Sequence, residues 1–414
     1  MLWRAPLIPE RFWGHMIKLR DINLCTSCGA CVNACRKSCI SMREDGDGFL
    51  VPSIDRGNCV ECGLCEQVCA RVNSVSFNQR PRYAIAAWAK DASIRGSSSS
   101  GGIFSVLAQR ILKDGGVING VTFDDEFSLK HKLVASLEEL LEVRGSRYVQ
   151  SDVGMTYAEI RRALNENRVV LFTSTPCQVA GLKGYLGREY ENLITCDFIC
   201  HGVPSPGYFK NYIRAKEKES GQNAVDYVFR DVAKWGWAPA LRLADKTIVS
   251  YDTYTDAYMV PFLAGLNYNE SCYNCPFAKP ERCADITLGD FWSIKDYSLF
   301  TKNYAKGCSL VLLNSAKGEF FFSRVSDECE GKKYPLYTTL ANKQLWHPSK
   351  RPSLREDFYS DVYSMDFDTF ATKYGIRVKP RHPLHHIADA MRWVKRKGNA
   401  LKYLLKVKCG GVKI

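Results

Sequence analysis

No stretch of this 414-residue chain approaches the roughly 18 consecutive apolar residues that a membrane-spanning helix needs. Its greasiest segments, VVLF at 169–172 and SLVLL at 309–313, suit buried strands instead. The opening MLWRAPLIPERFWGHMIKLR has no continuous apolar core bounded by a small-residue cleavage site. No secretory leader is therefore expected, and a cytoplasmic, reducing compartment is. A Cys-x3-Cys-x2-Cys run is also missing: Cys31-x3-Cys35 is followed by Ser38 where the third thiol would stand. That excludes radical chemistry built on S-adenosylmethionine. Nothing basic is interleaved with aromatics along the body, so no nucleic-acid platform is expected, despite a formal net charge of +13. Residues 377–414 hold eleven Lys/Arg against one acid, Asp389, and so account for +10 of that charge.

What the chain has in abundance is cysteine, 18 in all. Eight of them form two matching runs, CTSCGACVNAC (25–35) and CVECGLCEQVC (59–69). In a reducing compartment such clusters serve as ligands or catalysts rather than crosslinks. A zinc tetrahedron needs only four ligands and draws them from separated CxxC pairs or from pairs completed by His. Cys-x2-Cys-x2-Cys-x3-Cys is instead the bacterial ferredoxin spacing, in which three cysteines wrap one cubane and the fourth crosses to the other. Cys25, Cys28, Cys31 and Cys69 are thus expected to hold one 4Fe-4S cluster. Cys59, Cys62, Cys65 and Cys35 are expected to hold the second. Gly29 and Gly63 stand where the chain must bend tightly around the inorganic core. The proline that usually follows the fourth cysteine is replaced by Arg36 and Ala70.

A two-cluster ferredoxin takes some 60 residues, so a larger domain must follow. YAIAAWA (83–89), GVINGVTF (116–123), RVVLFTSTP (168–176) and NLITCDFIC (192–200) read as strands. IFSVLAQRILKDG (103–115) has a helical apolar stripe closed by glycine, CQVAGLKGYLG is helix-like, and HGVPSPGYFKNYIRAKEKE follows the last strand. Strands alternating with helices predict an α/β sheet. The expected layout is an α+β ferredoxin-like two-cluster domain at 1–80, an α/β domain at 81–350, and a C-terminal extension at 351–414. Between the first strand and its helix lies GSSSSGG (96–102), which is neither a Rossmann GxGxxG nor a Walker loop. Ser97, Ser98, Ser99, Ser100, Gly101 and Gly102 could cradle the pyrophosphate of a dinucleotide at a helix N-terminus, or form a flexible linker.

A third set of cysteines comprises Cys177 after TSTP, Cys196 and Cys200 around a strand end, and Cys272, Cys275 and Cys283 in CYNCPFAKPERC. The ordered motifs SSSSGGIFSVLA, TPCQVAGLKGYL, DFICHGVPSP and CYNCPF…ADITLGDFW resemble the family of the beta subunit of coenzyme F420 hydrogenase and dehydrogenase. The resemblance covers the N-terminal ferredoxin and the body from about residue 80 to 350. It implies an oxidoreductase with a flavin-binding α/β domain, FAD, and an iron–sulfur cluster close to the flavin. The substrate would be the deazaflavin coenzyme F420 or another molecule at the same site, with bacterial relatives linked to surface polysaccharide synthesis. By this carry-over Ser98–Gly102 contact the flavin diphosphate, and Cys177, Cys200, Cys272 and Cys275 hold a third 4Fe-4S cluster. Cys283 is an alternative to Cys177.

His201 in CHGVPSP and Asp290 in LGDFW are the candidate catalytic residues, each with a structural alternative: packing behind the site for His201, a turn cap for Asp290. Cys39, Cys308, Cys329 and Cys409 lack ligand spacing and read as buried thiols. Flavin handles hydride as an electron pair and each cubane carries one electron, so such a chain converts between two-electron and one-electron partners. The alternatives are an electron-transfer protein without bound flavin, serving a redox partner protein, and a zinc-stabilised scaffold. Leu384, Ile387, Met391, Val394, Leu401, Leu404 and Leu405 recur at helical intervals among Arg392, Lys395, Arg396, Lys397, Lys402 and Lys406. This basic amphipathic pattern could rest on an anionic membrane or pack on the body.

Overall fold

The computed structural model describes residues 21–231, 238–292 and 307–374. The basic tail pattern and Cys409 lie outside the described residues. Two short helices, α1 (Ala30–Ala34) and α2 (Leu64–Gln67), mark the two halves of the N-terminal unit. Each starts from a glycine in the left-handed region, Gly29 at φ 75° and Gly63 at φ 73°, as a chain bending sharply after CxxC requires. Between them β1 (Ile40–Glu44) and β2 (Leu50–Ile54) pair antiparallel.

The body follows the predicted alternation, with one addition. Strand β3 (Tyr83–Ala89) leads not into the long helix but into a short α3 (Ala92–Gly96), capped by Asp91. The Ser/Gly loop comes next, then α4 (Ile103–Lys113), β4 (Val117–Phe123), β5 (Leu129–Val134) and α5 (Leu137–Val143). After them run β6 (Ser151–Asp152), α6 (Thr156–Asn165), β7 (Val170–Ser174), α7 (Pro176–Leu186) and β8 (Leu193–Phe198). Helix α8 (Pro206–Ser220) starts five residues later than His201, because Pro204 and Pro206 hold the chain extended until Ser205 caps the first turn. Three antiparallel strands, β9 (Ala224–Asp231), β10 (Ala238–Leu243) and β11 (Ile248–Ser250), form a separate sheet. Finally β12 (Ile286–Asp290), β13 (Ser309–Leu313) and β14 (Cys329–Pro335) return to the main sheet.

The main sheet has nine strands in the order β14-β3-β13-β12-β8-β7-β4-β5-β6. Its centre, β12-β8-β7-β4, is parallel, and hairpin partners extend both sides. A central parallel strand is covered on both faces, which is why VVLF shows no alternation of polar and apolar residues. Leu171 points into a cluster with Val106, Leu107 and Ile111 of α4 and Leu140 of α5. Val170 and Phe172 point to the other face, against Tyr157 and Ile160 of α6 and Val179 and Leu182 of α7. A third, aromatic cluster joins Tyr208, Phe209 and Tyr212 of α8 to Tyr227, Phe229, Tyr258 and Phe262. Phe358, Tyr359 and Phe370 complete it, so residues 355–373, within the span assigned to the C-terminal extension, pack into the core of the body. Among the described residues no helix is long and apolar enough to cross a membrane.

A polar network lies under the start of α7. His131 bonds Asn119 through Nδ1 and Ser151 through Nε2, and Gln178 donates to Ser151 as well. Burial pushes the imidazole of His131 down to about 4. Its folded value lies below the ordinary 6.5, so its stabilising effect is complete above pH 6.5 and is lost as pH falls toward 4. Chemical denaturation at pH 7 and pH 5 should show a loss of roughly 1–2 kcal/mol that His131→Gln removes. An equal pH dependence in the variant would assign the loss to other groups.

Candidate functional site

The last cysteine of the second run comes to the first run. Cys25, Cys28, Cys31 and Cys69 line one cavity together with Gly29, Met42, Pro52 and Arg71. Cys69, from the second run, is thereby brought to three cysteines of the first. Burial pushes the Cys28 thiol up to about 12, and the neighbouring Cys25 and Cys69 add to it. Cys59 and Cys65 face one another in the second group, with Cys62 exposed beside them. Among the described residues no three His, Cys, Asp or Glu side chains converge as ligands of a single ion. A zinc tetrahedron with 2.3 Å bonds needs sulfurs about 3.8 Å apart. A cubane binds each thiolate at a different corner and so takes four thiols around one space, and Cys25, Cys28, Cys31 and Cys69 line one cavity.

In the body, Cys177, Cys200, Cys272 and Cys275 come together. Burial pushes the Cys177 thiol well up, and Cys275, Cys200 and Cys272 are the thiols that add to the shift. Burial pushes Cys200 up to about 12 with Cys275 beside it. Three devices assemble the group. Cys177 sits in the first turn of α7, where the Thr175 hydroxyl lies 3.2 Å from its sulfur. Gly202, at φ 134°, lies so close to the Tyr268 ring that any Cβ would collide with it. Asn269 N–H donates to Val203 C=O at 2.9 Å, tying the Cys200 loop to the turn that carries Cys272. Arg282 locks the remaining loop from inside: it is fully buried against Asp197, with Nε–Oδ2 at 3.1 Å, and donates to the carbonyls of Phe277, Lys279 and Phe198.

Cys283 and Cys196 stand apart from this group. Cys283 is buried with its sulfur 3.5 Å from Pro176 C=O, and Cys196 faces the sheet core. Cys308 and Cys329 are also core thiols.

The dicluster unit abuts the body at α7. A Cβ on Gly181 would stand 2.8 Å from Cys28 Sγ, and one on Gly184 would meet Val68 C=O. Two glycines on one helix face thus bring the Cys25–Cys69 cavity against the helix that carries Cys177. Tyr157 bridges the junction, donating to Cys28 C=O at 2.8 Å and to Gln178 C=O at 2.7 Å. Arg71 stands within electrostatic reach of both Cys25 and Cys275. A strap closes the far side, with Phe77 packed on Phe277 and Asn78 N–H donating to Arg282 C=O.

Near the body thiols lies a buried polar group. Arg230 pairs with Asp290 at 2.8 Å, both nearly buried. Burial pushes the His201 imidazole down, opposed by the Asp290 carboxylate. His201 stacks on Phe262, 6.2 Å between centroids, and Asp290 Oδ1 is buried without a hydrogen-bond partner. Tyr148 stands between this pair and Tyr268, which adjoins Cys200 and Cys272. The two catalytic candidates therefore stand in one buried polar group.

The Ser/Gly loop is bound into the fold at every step, which removes the flexible-linker alternative. Ser97 and Ser98 hydroxyls turn back to Ser93 and Ile94 carbonyls of α3 at 2.6 Å, and Ser99 Oγ accepts from Ser146 N–H at 2.8 Å. A Cβ on Gly101 would collide with Ala87 C=O, and Gly102 takes φ 85° as the N-cap of α4. Both glycines are demanded by the fold itself. Ser100 Oγ alone among the four serine hydroxyls is buried without a partner. Next to Ser99 stands a group that sequence reading missed: Arg147, half-buried, its Nε without a partner, its Nη1 on the Arg144 and Ser146 carbonyls and Asp226 within electrostatic reach. Only its place in GSRYVQ, beside a glycine, hinted at a loop function.

Residues 84–156 and 167–333 match the N-terminal and C-terminal parts of the coenzyme F420 hydrogenase/dehydrogenase beta subunit, and residues 24–72 match a 4Fe-4S dicluster domain. The chain belongs to this beta-subunit family. Its N-terminal unit is a 4Fe-4S dicluster domain, and the crossed cysteines suit the two clusters that name implies. The uncharacterized protein MJ1349 of Methanocaldococcus jannaschii is 24% identical over 340 residues, 73% of this chain and 87% of that protein. One subunit of the H(2):CoB-CoM heterodisulfide,ferredoxin reductase of Methanothermobacter thermautotrophicus is 32% identical over 74 residues, 15% of this chain and 11% of that protein. A solved chain of the F420-reducing [NiFe] hydrogenase complex from Methanosarcina barkeri superposes with a TM-score of 0.43 at 17% identity, over 65% of this chain and 88% of that one.

Proposed function

We propose that this beta-subunit family member is an iron–sulfur flavoprotein oxidoreductase. The observation that carries this reading is the placement of the four body thiols. They adjoin the dicluster domain across α7 and stand near the buried Tyr148–Arg230–Asp290–His201 group, which would line the flavin cleft. Cys177, Cys200, Cys272 and Cys275 would hold a third cubane there. FAD would lie along the cleft, its diphosphate on Ser100 and Arg147 rather than on Ser97–Ser99, whose hydroxyls are already engaged. Two buried polar atoms without partners, Ser100 Oγ and Arg147 Nε, support that fit. When bound, the flavin supplies hydride chemistry at the cleft.

The protein's own groups have definite tasks. Arg147 neutralises the diphosphate. Arg230 orients Asp290, and His201, kept neutral by burial, is a proton carrier beside it. Arg71 offsets negative charge between the first dicluster site and the body thiols. The second dicluster site is the outer end of the wire: Cys62 is exposed and Val60 is 59% exposed next to it, where a redox partner protein would dock. The substrate at the cleft would be the deazaflavin coenzyme F420, from which the family takes its name, or another hydride donor or acceptor.

Anaerobically purified full-length chain should contain FAD and about twelve irons, from three four-iron clusters. Iron and sulfide without flavin would favour a pure electron carrier, and colourless zinc protein would end the reading. Ser100→Ala and Arg147→Gln should each weaken FAD retention about ten- to hundredfold, since a hydrogen bond to a charged group is worth roughly 1.5–3 kcal/mol. Iron content should not change. Unaltered flavin occupancy in both variants would remove the diphosphate from this loop. Gly101 and Gly102 are poor probes, because side chains there disturb the backbone with or without flavin.

A further inference from the structure

Cys39 lies outside the ferredoxin spacing, yet its sulfur is 3.3 Å from that of Cys35. It also faces Cys59, the first cysteine of the second run. This contact is built by the backbone. Ser38 N–H donates to Cys35 C=O at 3.0 Å, closing a turn over CRKSC, and Ser38 takes φ 51°, a conformation uncommon for serine. The turn folds Cys39 back over Cys35. Its own carbonyl is then held by Asp55 N–H at 2.7 Å, where β1 and β2 begin to pair. Cys39 is 7% exposed, and it is shielded from competing thiol chemistry by the same packing that aims it at the cluster site.

We propose that Cys39 is a reserve fourth ligand of the second cluster, able to replace Cys35 at the same iron. The exchange moves no electrons. The bond from iron to Cys35 breaks, the bond from iron to Cys39 forms, and the proton leaving the Cys39 thiol passes to the Cys35 thiolate 3.3 Å away. The iron, the cubane and the total charge are unchanged. The consequence is a cluster that survives loss or chemical blocking of one ligand, at the exposed end of the protein where damage is most frequent.

The test uses full-length protein reconstituted anaerobically with iron and sulfide, and alanine rather than serine, because a serine hydroxyl can itself bind iron. Cys35→Ala should keep the iron content of the parent, with a shifted electron paramagnetic resonance signal for one cluster. Cys39→Ala should keep both content and signal. Cys35→Ala/Cys39→Ala should lose one four-iron cluster, as should Cys62→Ala, the control for a ligand with no reserve. Far-ultraviolet circular dichroism of every variant reports whether the fold persists. A folded Cys35→Ala chain that loses as much iron as the double variant would overturn the proposal. So would loss of iron from Cys39→Ala alone, which would make Cys39 the resident ligand instead of the reserve.

Discussion

Arg282→Met should cost the fold about 3–5 kcal/mol and empty the body thiol site. The substitution keeps much of the volume but leaves the fully buried Asp197 carboxyl, which burial already pushes up, without its guanidinium. Thr287 still donates to Asp197 Oδ1 at 2.6 Å, but one hydroxyl does not replace the guanidinium, so Asp197 is left either as a costly buried charge or as a protonated acid. The carbonyls of Phe277, Lys279 and Phe198 lose their donor together. These carbonyls belong to the loop after Cys275 and to the end of β8, so Cys275 and Cys200 lose their relative placement. Denaturant unfolding of the cluster-free chain measures the first effect, and iron analysis of the reconstituted chain the second. Arg282→Lys should recover charge but not the fork, and fall between. Wild-type stability and iron in Arg282→Met would show that the pair is dispensable.

Gly181→Leu should separate the dicluster domain from the body while leaving the cysteine sets chemically intact. Leucine is the better helix former by intrinsic propensity, so an isolated α7 would gain from the change. The cost arises in the packing: the first added carbon already meets Cys28 Sγ at 2.8 Å, and Tyr157 Oη lies 3.2 Å away. Overpacking of this kind costs about 1–3 kcal/mol and is relieved here by displacing the smaller domain. Iron content should be retained, but rapid-mixing reduction through the dicluster domain should reach the cluster proposed at the body thiols at least tenfold more slowly. Unchanged transfer with leucine in place would sink α7 as the junction.

The two ferredoxin runs were legible because a cluster demands a local spacing of thiols, and local spacing is written directly into sequence. The strands β3, β4, β7 and β8 were legible for a similar reason: short apolar runs bounded by turn residues have few other uses. Helix α3 was not visible, since ASIRG is too short and too polar to leave a periodic trace, and the Asp91 cap that starts it is a single residue. The Ser/Gly loop was read by composition alone. Composition could not show that three of its serines are spent on protein partners and that Ser100 is not.

Sequence by itself determined the dicluster, the α/β character of the body and its family, because spacing, periodicity and motif order are properties of neighbours along the chain. Tertiary structure alone decided which thiols of the third set meet. Cys177, Cys200, Cys272 and Cys275 come from three separate segments, and Cys283 has the same chemistry yet points at Pro176. It alone brought Arg147 to the serine loop and residues 355–373 into the aromatic core. Each of these depends on where a helix or turn delivers a side chain after the sheet has closed. Contacts between residues distant in sequence are set by packing of the whole sheet and carry no local signature in the chain.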